Sequence, residues 1–245
     1  MIFPPIFLIL LILVLLHQNY LSPLSTKLYI YFLIIPFNQA NRGSMHYVSH
    51  LSKDEKLKKL IRDHGTFKLN NKKNLYLYLC YSIMSQQLST KVASVIKQRF
   101  LDLYDGEPTP QQIVDIPFAK LRSIGLSNAK VSYVQNVAKF EIENGMDHKK
   151  LSKMSNEEVI EYLTQIKGVG RWTTEMLLMF ALGREDLFAI DDLGLQQAVI
   201  GLYELKHRKK KIMNAKILKI AEQWAPYRTY ACMYLWRWKD NVPTK

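Results

Sequence analysis

Beyond residue 44 the apolar positions repeat at helical spacing, and no two alternating segments are placed to pair as strands. Between Leu51 and Asp63, Leu57, Leu60 and Ile61 share one helical face, with Ser52 as the expected N-cap and His64-Gly65 as the stop. Leu75 to Ile83 is tyrosine-rich and apolar enough to resemble a strand, yet it continues into Met84 without a breaker, which predicts a helix. Ser89 is placed to cap a helix running to about Tyr104. Thr109-Pro110 and Ile116-Pro117 open two short helices, and Ser127 caps a long one that ends at Gly145. Ser155 and Glu158 form a capping box for a helix that runs into Leu163. An apolar-faced helix follows from Arg171 to Leu182, then Asp191-Asp192 and a helix from Leu193 to Leu202, with a final helix beyond it.

The first 44 residues differ from the rest of the chain. Ile2 to Leu16 and Leu28 to Phe37 are apolar runs, and Lys27 and Arg42 are the only charged side chains in the segment. The first run is short of the ~20 residues a spanning helix needs, and Pro4-Pro5 shortens it further. No basic residue precedes it, as a signal peptide requires. Three readings stand: a membrane anchor, a signal peptide, or an upstream extension outside the working protein. The division expected is an apolar N-terminal extension over 1–44 and one helical domain over 45–245, starting at Met45, with an anchor as the main rival.

Charge then narrows the partner. Lys and Arg total 34 against 21 Asp and Glu, a net +13 in 245 residues, of which the extension carries only two. Such an excess favours a polyanion, nucleic acid foremost, without deciding between DNA, RNA and an anionic membrane. Cys80 and Cys232 are the only cysteines, too few for a disulfide framework or a four-cysteine metal site.

The candidate chemistry sits in Leu163 to Asp192. Gly168-Val169-Gly170 permits a tight turn with positive φ, leaving amides free at the mouth of the next helix, where the dipole favours an anion. Lys167 and Arg171 flank the turn and add attraction for a phosphate backbone. Taken by itself, a Gly-x-Gly turn is more simply a glycine cap between two helices. Asp191 and Asp192, ahead of a helix, are in the same way first of all N-cap candidates.

The whole string alters that weighting. LTQIKGVGRWTTEMLLMFALGREDLFAIDD resembles the helix-hairpin-helix and Gly/Pro-rich loop with aspartate of the DNA glycosylase superfamily, most closely its 3-methyladenine DNA glycosylase II branch. Arg171-Trp172-Thr173 and Asp191-Asp192 carry that branch's pattern, and Asp54–Gly65, Tyr81–Phe100 and Trp224–Trp238 are similar in the same order. The resemblance implies an all-α fold of two helical subdomains, with the helix-hairpin-helix motif and an active-site cleft between them. It implies Asp192 as the catalytic carboxylate, stabilising positive charge on a sugar, with Asp191 left as a structural neighbour. It implies a base pocket of Trp172, Trp236 and Met176, in which an indole attracts a cationic alkylated purine. Met176 stands where the family carries tyrosine. Trp172 takes the place of the lysine nucleophile of the bifunctional branch, so no lyase step is expected.

For DNA contact the resemblance implies Lys167, Gly168, Val169, Gly170 and Arg171, with Gln87 filling the gap left by an extruded nucleotide and Leu88 as the next candidate. Lys130, in a second and degenerate hairpin, is either part of a packing turn or a contributor to that face. A structural monovalent cation on the main-chain oxygens of Thr164, Ile166 and Val169 is implied at the hairpin. No other cofactor is required, and two cysteines cannot hold the iron–sulfur cluster of another branch. The expected partner is double-stranded DNA containing damaged bases, acted on by a monomer in a bacterial-type, nucleoid-associated cytoplasmic setting, with no membrane partner unless 1–44 is an anchor. A different damaged-base preference and a noncatalytic DNA-binding hairpin protein are the competing readings. Lys206 to Lys211, an insertion against the family's spacing, is expected as a solvated loop.

Overall fold

The structure, a computed structural model, describes residues 45–207 and 209–241; the extension and the readings attached to it lie outside the described residues. Those residues form helices without a strand. In chain order they are α1 (Met45–Leu51), α2 (Glu55–His64), α3 (Leu75–Ser85), α4 (Thr90–Asp102), α5 (Pro110–Asp115), α6 (Phe118–Ser123) and α7 (Asn128–Asn144). They continue as α8 (His148–Leu151), α9 (Asn156–Leu163), α10 (Arg171–Phe180), α11 (Leu193–Leu202), α12 (Lys210–Glu222) and α13 (Arg228–Asn241). No helix among the described residues is long and apolar enough to cross a membrane.

Local chemistry sets most boundaries. The hydroxyls of Ser89, Thr109, Ser127 and Ser155 each accept an amide of the following turn, and Thr109 and Ser155 complete capping boxes with Gln112 and Glu158. Ser52 does not cap α2. Asp54 takes that role, accepting from the amides of Lys56 and Leu57, because α1 already occupies the chain through Leu51 and a carboxylate stands two residues closer to the helix. The Lys206 to Lys211 segment is likewise only partly loop, since α12 begins at Lys210; its described residues are exposed.

Two groups of helices share the core. The chain's two ends make one lobe, in which α2 packs on α1 and α13, and α11 on α12 and α13. The middle makes the other, with α7 packed against α3, α5 and α6, and α3 against α4. The hairpin pair α9 and α10 joins the second lobe through α3. Residues of α3 and α10 are buried nearly all round, which is why α3 lacks the one-sided pattern of a surface helix. Tyr47 of α1 belongs to this core: its ring stacks on Tyr230 at 3.9 Å, and its hydroxyl donates to the carbonyl of Phe67.

Candidate active site

The loop from Ala181 to Asp192 leaves α10 and is tied down on both sides. Arg184 donates to the carbonyls of Leu151 and Met154, and Arg228 of α13 forms a two-pronged pair with Asp186. The Thr229 hydroxyl receives the Leu187 amide and donates to the Arg184 carbonyl, while Gln196 reaches back to the Ile190 carbonyl. A loop held this way delivers Asp192 to a fixed point at the N-terminus of α11.

Asp192 is 6% exposed and accepts three hydrogen bonds. Its Oδ1 takes the Leu195 amide at 2.7 Å and the indole N–H of Trp236 at 3.1 Å. Its Oδ2 takes the indole N–H of Trp172 at 2.8 Å. One indole comes from α10 and the other from α13, so the carboxylate sits where the two lobes meet. Asp54 is an instructive contrast: its Oδ1 accepts two amides, and its Oδ2 accepts the Tyr203 hydroxyl and the Trp224 indole. An ionised carboxylate has about four acceptor positions. Asp54 therefore has all of them filled by protein, whereas Asp192 keeps one on Oδ2. Asp191 is exposed and does not cap the helix.

The other expected pocket residues differ in placement. Trp236 is 3% and Met176 1% exposed, both packed into the core, and the Met176 carbonyl accepts from Tyr78. Trp172 is only partly buried, so of the three it is the most accessible. A cavity of about 560 Å³ lies beside α3 and α4, lined in part by Tyr78, Tyr81, Ser85 and Lys97, and Asp192 does not line it.

The hairpin joins α9 to α10. Gly168 has φ +105°, and a Cβ there would fall 2.2 Å from Cγ of Tyr133 on α7. Gly170 was expected to share the positive φ but has φ −98°, as the N-cap of α10, and a Cβ there meets nothing within 4 Å. The first glycine thus answers to packing, while the second leaves open space. No backbone hydrogen bond among the described residues takes up the amides of Lys167, Gly168 or Gly170, and Lys167 and Gly170 are exposed. Val169 is buried, pinning the turn to the core, and its amide donates to the Ile166 carbonyl at 2.9 Å.

Arg171 has a different set of partners from the one its sequence position suggested. Its guanidinium forks onto Glu157 of α9, with Nη1 to Oε2 at 2.9 Å, and its Nε reaches Oε1 of Glu175 at 3.1 Å. Much of its charge is offset locally. Glu175 is 3% exposed, its Oε2 has no hydrogen-bond partner, and burial pushes its carboxyl up to about 7 against the opposing pull of Arg171.

Ahead of α4, Gln87 is exposed with φ +60°, a backbone setting uncommon for a residue other than glycine. Leu88 beside it packs partly against the core. Lys130 turns inward instead of joining an outer face: its Nζ donates to the carbonyls of Met84 at 2.9 Å and Gln86 at 2.6 Å. Cys80 and Cys232 are buried on α3 and α13, and no group of three or more His, Cys, Asp or Glu among the described residues could hold a metal ion.

A family model described as HhH-GPD superfamily base excision DNA repair protein matches residues 80–223, which hold the hairpin, its flanking helices and Asp192. The chain belongs to this superfamily. The DNA-3-methyladenine glycosylase 1 of Schizosaccharomyces pombe is 40% identical over 196 residues, covering 77% of this chain and 84% of that protein. A putative DNA-3-methyladenine glycosylase of Bacillus subtilis is 30% identical, covering 78% of this chain and 68% of the relative. Among solved structures, the S. pombe 3-methyladenine DNA glycosylase in complex with abasic DNA superposes with a TM-score of 0.71 at 36% identity, covering 81% of this chain and 98% of that one. A Bacillus halodurans DNA-3-methyladenine glycosidase gives the same TM-score at 33% identity, covering 82% and 92%.

Proposed function

We propose that residues 45–245 form a monofunctional glycosylase, acting as a monomer on double-stranded DNA, that extrudes alkylated purines of the 3-methyladenine type and hydrolyses their N-glycosidic bond. The reading is carried by one observation: Asp192 is fixed by two indole N–H groups and an amide, with an acceptor position left on Oδ2. In the reaction the C1′–N bond breaks and both its electrons leave with the base. An alkylated purine, being cationic, departs neutral and needs little acid assistance. The sugar left behind has oxocarbenium character, and a fixed anion beside it lowers the barrier. Water then adds to C1′ and gives up a proton, for which Oδ2 is the available acceptor.

The partly buried ring of Trp172 suits a flat, electron-poor base. The same residue offers no amine at the position where a lysine would attack the sugar, which supports hydrolysis without a strand break. The free amides of the hairpin, with Lys167, suit a phosphate. A monovalent cation would add to that attraction through the main-chain oxygens of Thr164, Ile166 and Val169. The Ile166 carbonyl accepts one amide, and a carbonyl has room for a second partner. An enzyme of this kind works in the compartment that holds the DNA.

A panel of duplexes carrying defined methylated, ethenylated, deaminated and oxidised bases tests the assignment. Abasic sites in the methylated-purine duplexes, without strand nicking, are the expected result. Release confined to deaminated or oxidised bases, or nicking that keeps pace with base release, would contradict it.

A further inference from the structure

The C-terminus of α3 leads straight into the turn that carries Gln87, and its carbonyls can be accounted for one by one. Ser82 O accepts the Ser85 hydroxyl at 2.9 Å, Ile83 O the Gln86 amide at 3.3 Å, and Ser85 O the Leu88 amide at 3.2 Å. The two that remain, Met84 O and Gln86 O, are both satisfied by the ammonium of Lys130. Lys130 lies in the first turn of α7, the positive end of that helix, and its burial lowers the pKa of its amine. Neither setting favours a lysine by itself. What compensates is the negative end of α3, whose orphan carbonyls it closes.

The same helix also holds the hairpin. One turn further along α7, the Tyr133 ring fills the space over Gly168, and Asn136 Nδ2 donates to the Lys167 carbonyl at 3.1 Å. Lys130 and Asn136 are about 9 Å apart along the helix axis. α7 therefore connects the Gln87 turn to the hairpin through a rigid rod.

We propose that Lys130 is a positioning residue for base extrusion: bonded to the Met84 and Gln86 carbonyls, it holds the Gln87 turn at a set distance from the hairpin, so that Gln87 meets the DNA stack when the hairpin holds the backbone. The inference rests on the reading of Gln87 as the inserted residue. Lys130 is bonded to the Met84 and Gln86 carbonyls and not to Asp192, so its loss is expected to affect the step that opens the stack and to leave bond cleavage alone. Opening the stack is cheaper when the lesion has no pairing partner.

The test uses the full chain and two duplexes, with 7-methylguanine opposite cytosine or opposite an abasic analogue, read as single-turnover base release, with thermal midpoints alongside. Lys130→Met is expected to slow release from the paired lesion about tenfold more than from the unpaired one, and Lys130→Arg to recover most of that difference. Gln87→Ala is expected to shift the same ratio. If Gln87→Ala shifts the ratio and Lys130→Met does not, the inference falls while the inserting-turn reading stands. If neither shifts it, the inserting-turn reading itself fails. Equal losses on both duplexes would mean that Lys130 is merely structural, which also overturns the inference. Should Lys130→Met be too unstable to assay, Lys130→Gln, with an amide left for one of the two carbonyls, carries the same expectation at smaller size.

Discussion

The two hairpin glycines look equivalent in sequence and should respond in opposite ways to the same added methyl group. At Gly168 an alanine must hold φ +105° and drive its Cβ to 2.2 Å from a ring carbon of Tyr133. The backbone strain costs about 1–3 kcal/mol, and the overlap adds to it because Cγ and Cβ of Tyr133 cannot swing away as a side-chain tip would. For a chain of this size that corresponds to a fall in thermal midpoint of roughly 5 °C or more. Tyr133→Ala in the same molecule should return only the ring's share of the overlap, because the Cβ at 133 stays 2.6 Å away, and should leave the strain. At Gly170 an alanine finds φ −98° and open space. Its poorer N-cap quality is offset by about 0.4–1 kcal/mol of unfolded-state entropy, so stability should change by less than about 1 kcal/mol. The open space is where a phosphate is proposed to approach, and a methyl there displaces a charge-assisted bond of about 1.5–3 kcal/mol. Affinity for a duplex with an abasic analogue, measured at fixed salt, should fall about 10- to 100-fold for Gly170→Ala while its melting curve stays in place. Wild-type affinity in a normally folded Gly170→Ala protein would refute the phosphate clamp, and equal melting losses for the two variants would refute the division of labour between the glycines.

Lys167 and Arg171 should likewise separate. Lys167→Ala is expected to lower the slope of log affinity against log salt by about one, whereas Arg171→Ala should act mainly on stability by releasing Glu157 and the buried Glu175; equal slope changes in titrations of the two would contradict this. Glu175 makes stability depend on pH. Its folded carboxyl titrates at about 7 against an ordinary glutamate value of 4.5, so the folded state holds the extra proton. Its contribution is full below the lower value, falls by about 3 kcal/mol in all as pH rises through the window, and is gone above the upper one. Glu175→Gln should flatten that descent. Asp240, raised to about 6 by burial, descends in an overlapping range, so the informative quantity is the wild-type minus variant difference between pH 6 and 8; no change in it would show that Glu175 is not the source.

The parts of this molecule written in short-range chemistry were legible in its sequence. Serine and threonine caps three residues before the amides that donate to them, and glycines just past helix ends, define most boundaries without reference to the rest of the chain. Ser52 fails because cap choice is a competition, and Asp54 is also held by Tyr203 and Trp224, some 150 and 170 residues away in the chain. The hidden partners share that remoteness. Glu157 precedes Arg171 by 14 residues, Lys130 follows Met84 by 46, and the indole of Trp236 lies 44 residues beyond Asp192. Family resemblance pointed to Asp192 and both tryptophans, but not to the direct bonds between them. The inward turn of Lys130 had a faint signal, a lysine in the first turn of a helix where the dipole disfavours it. For Glu175, an acid inside an otherwise apolar run was the available clue.

Bond cleavage rests on the negative charge of Asp192. A carboxylate about 4 Å from the developing sugar cation, at an effective dielectric of about 20, contributes about 4 kcal/mol, or roughly a thousandfold in rate. Asn keeps the shape, removes the charge and sets an N–H₂ against one of the indole donors. Single-turnover base release from an alkylated duplex by Asp192→Asn, with folding and abasic-duplex binding measured on the same preparation, tests this most directly. Release is expected to fall about a thousandfold with the fold and binding retained. A folded, DNA-binding Asp192→Asn protein that releases base within about tenfold of wild type would contradict it.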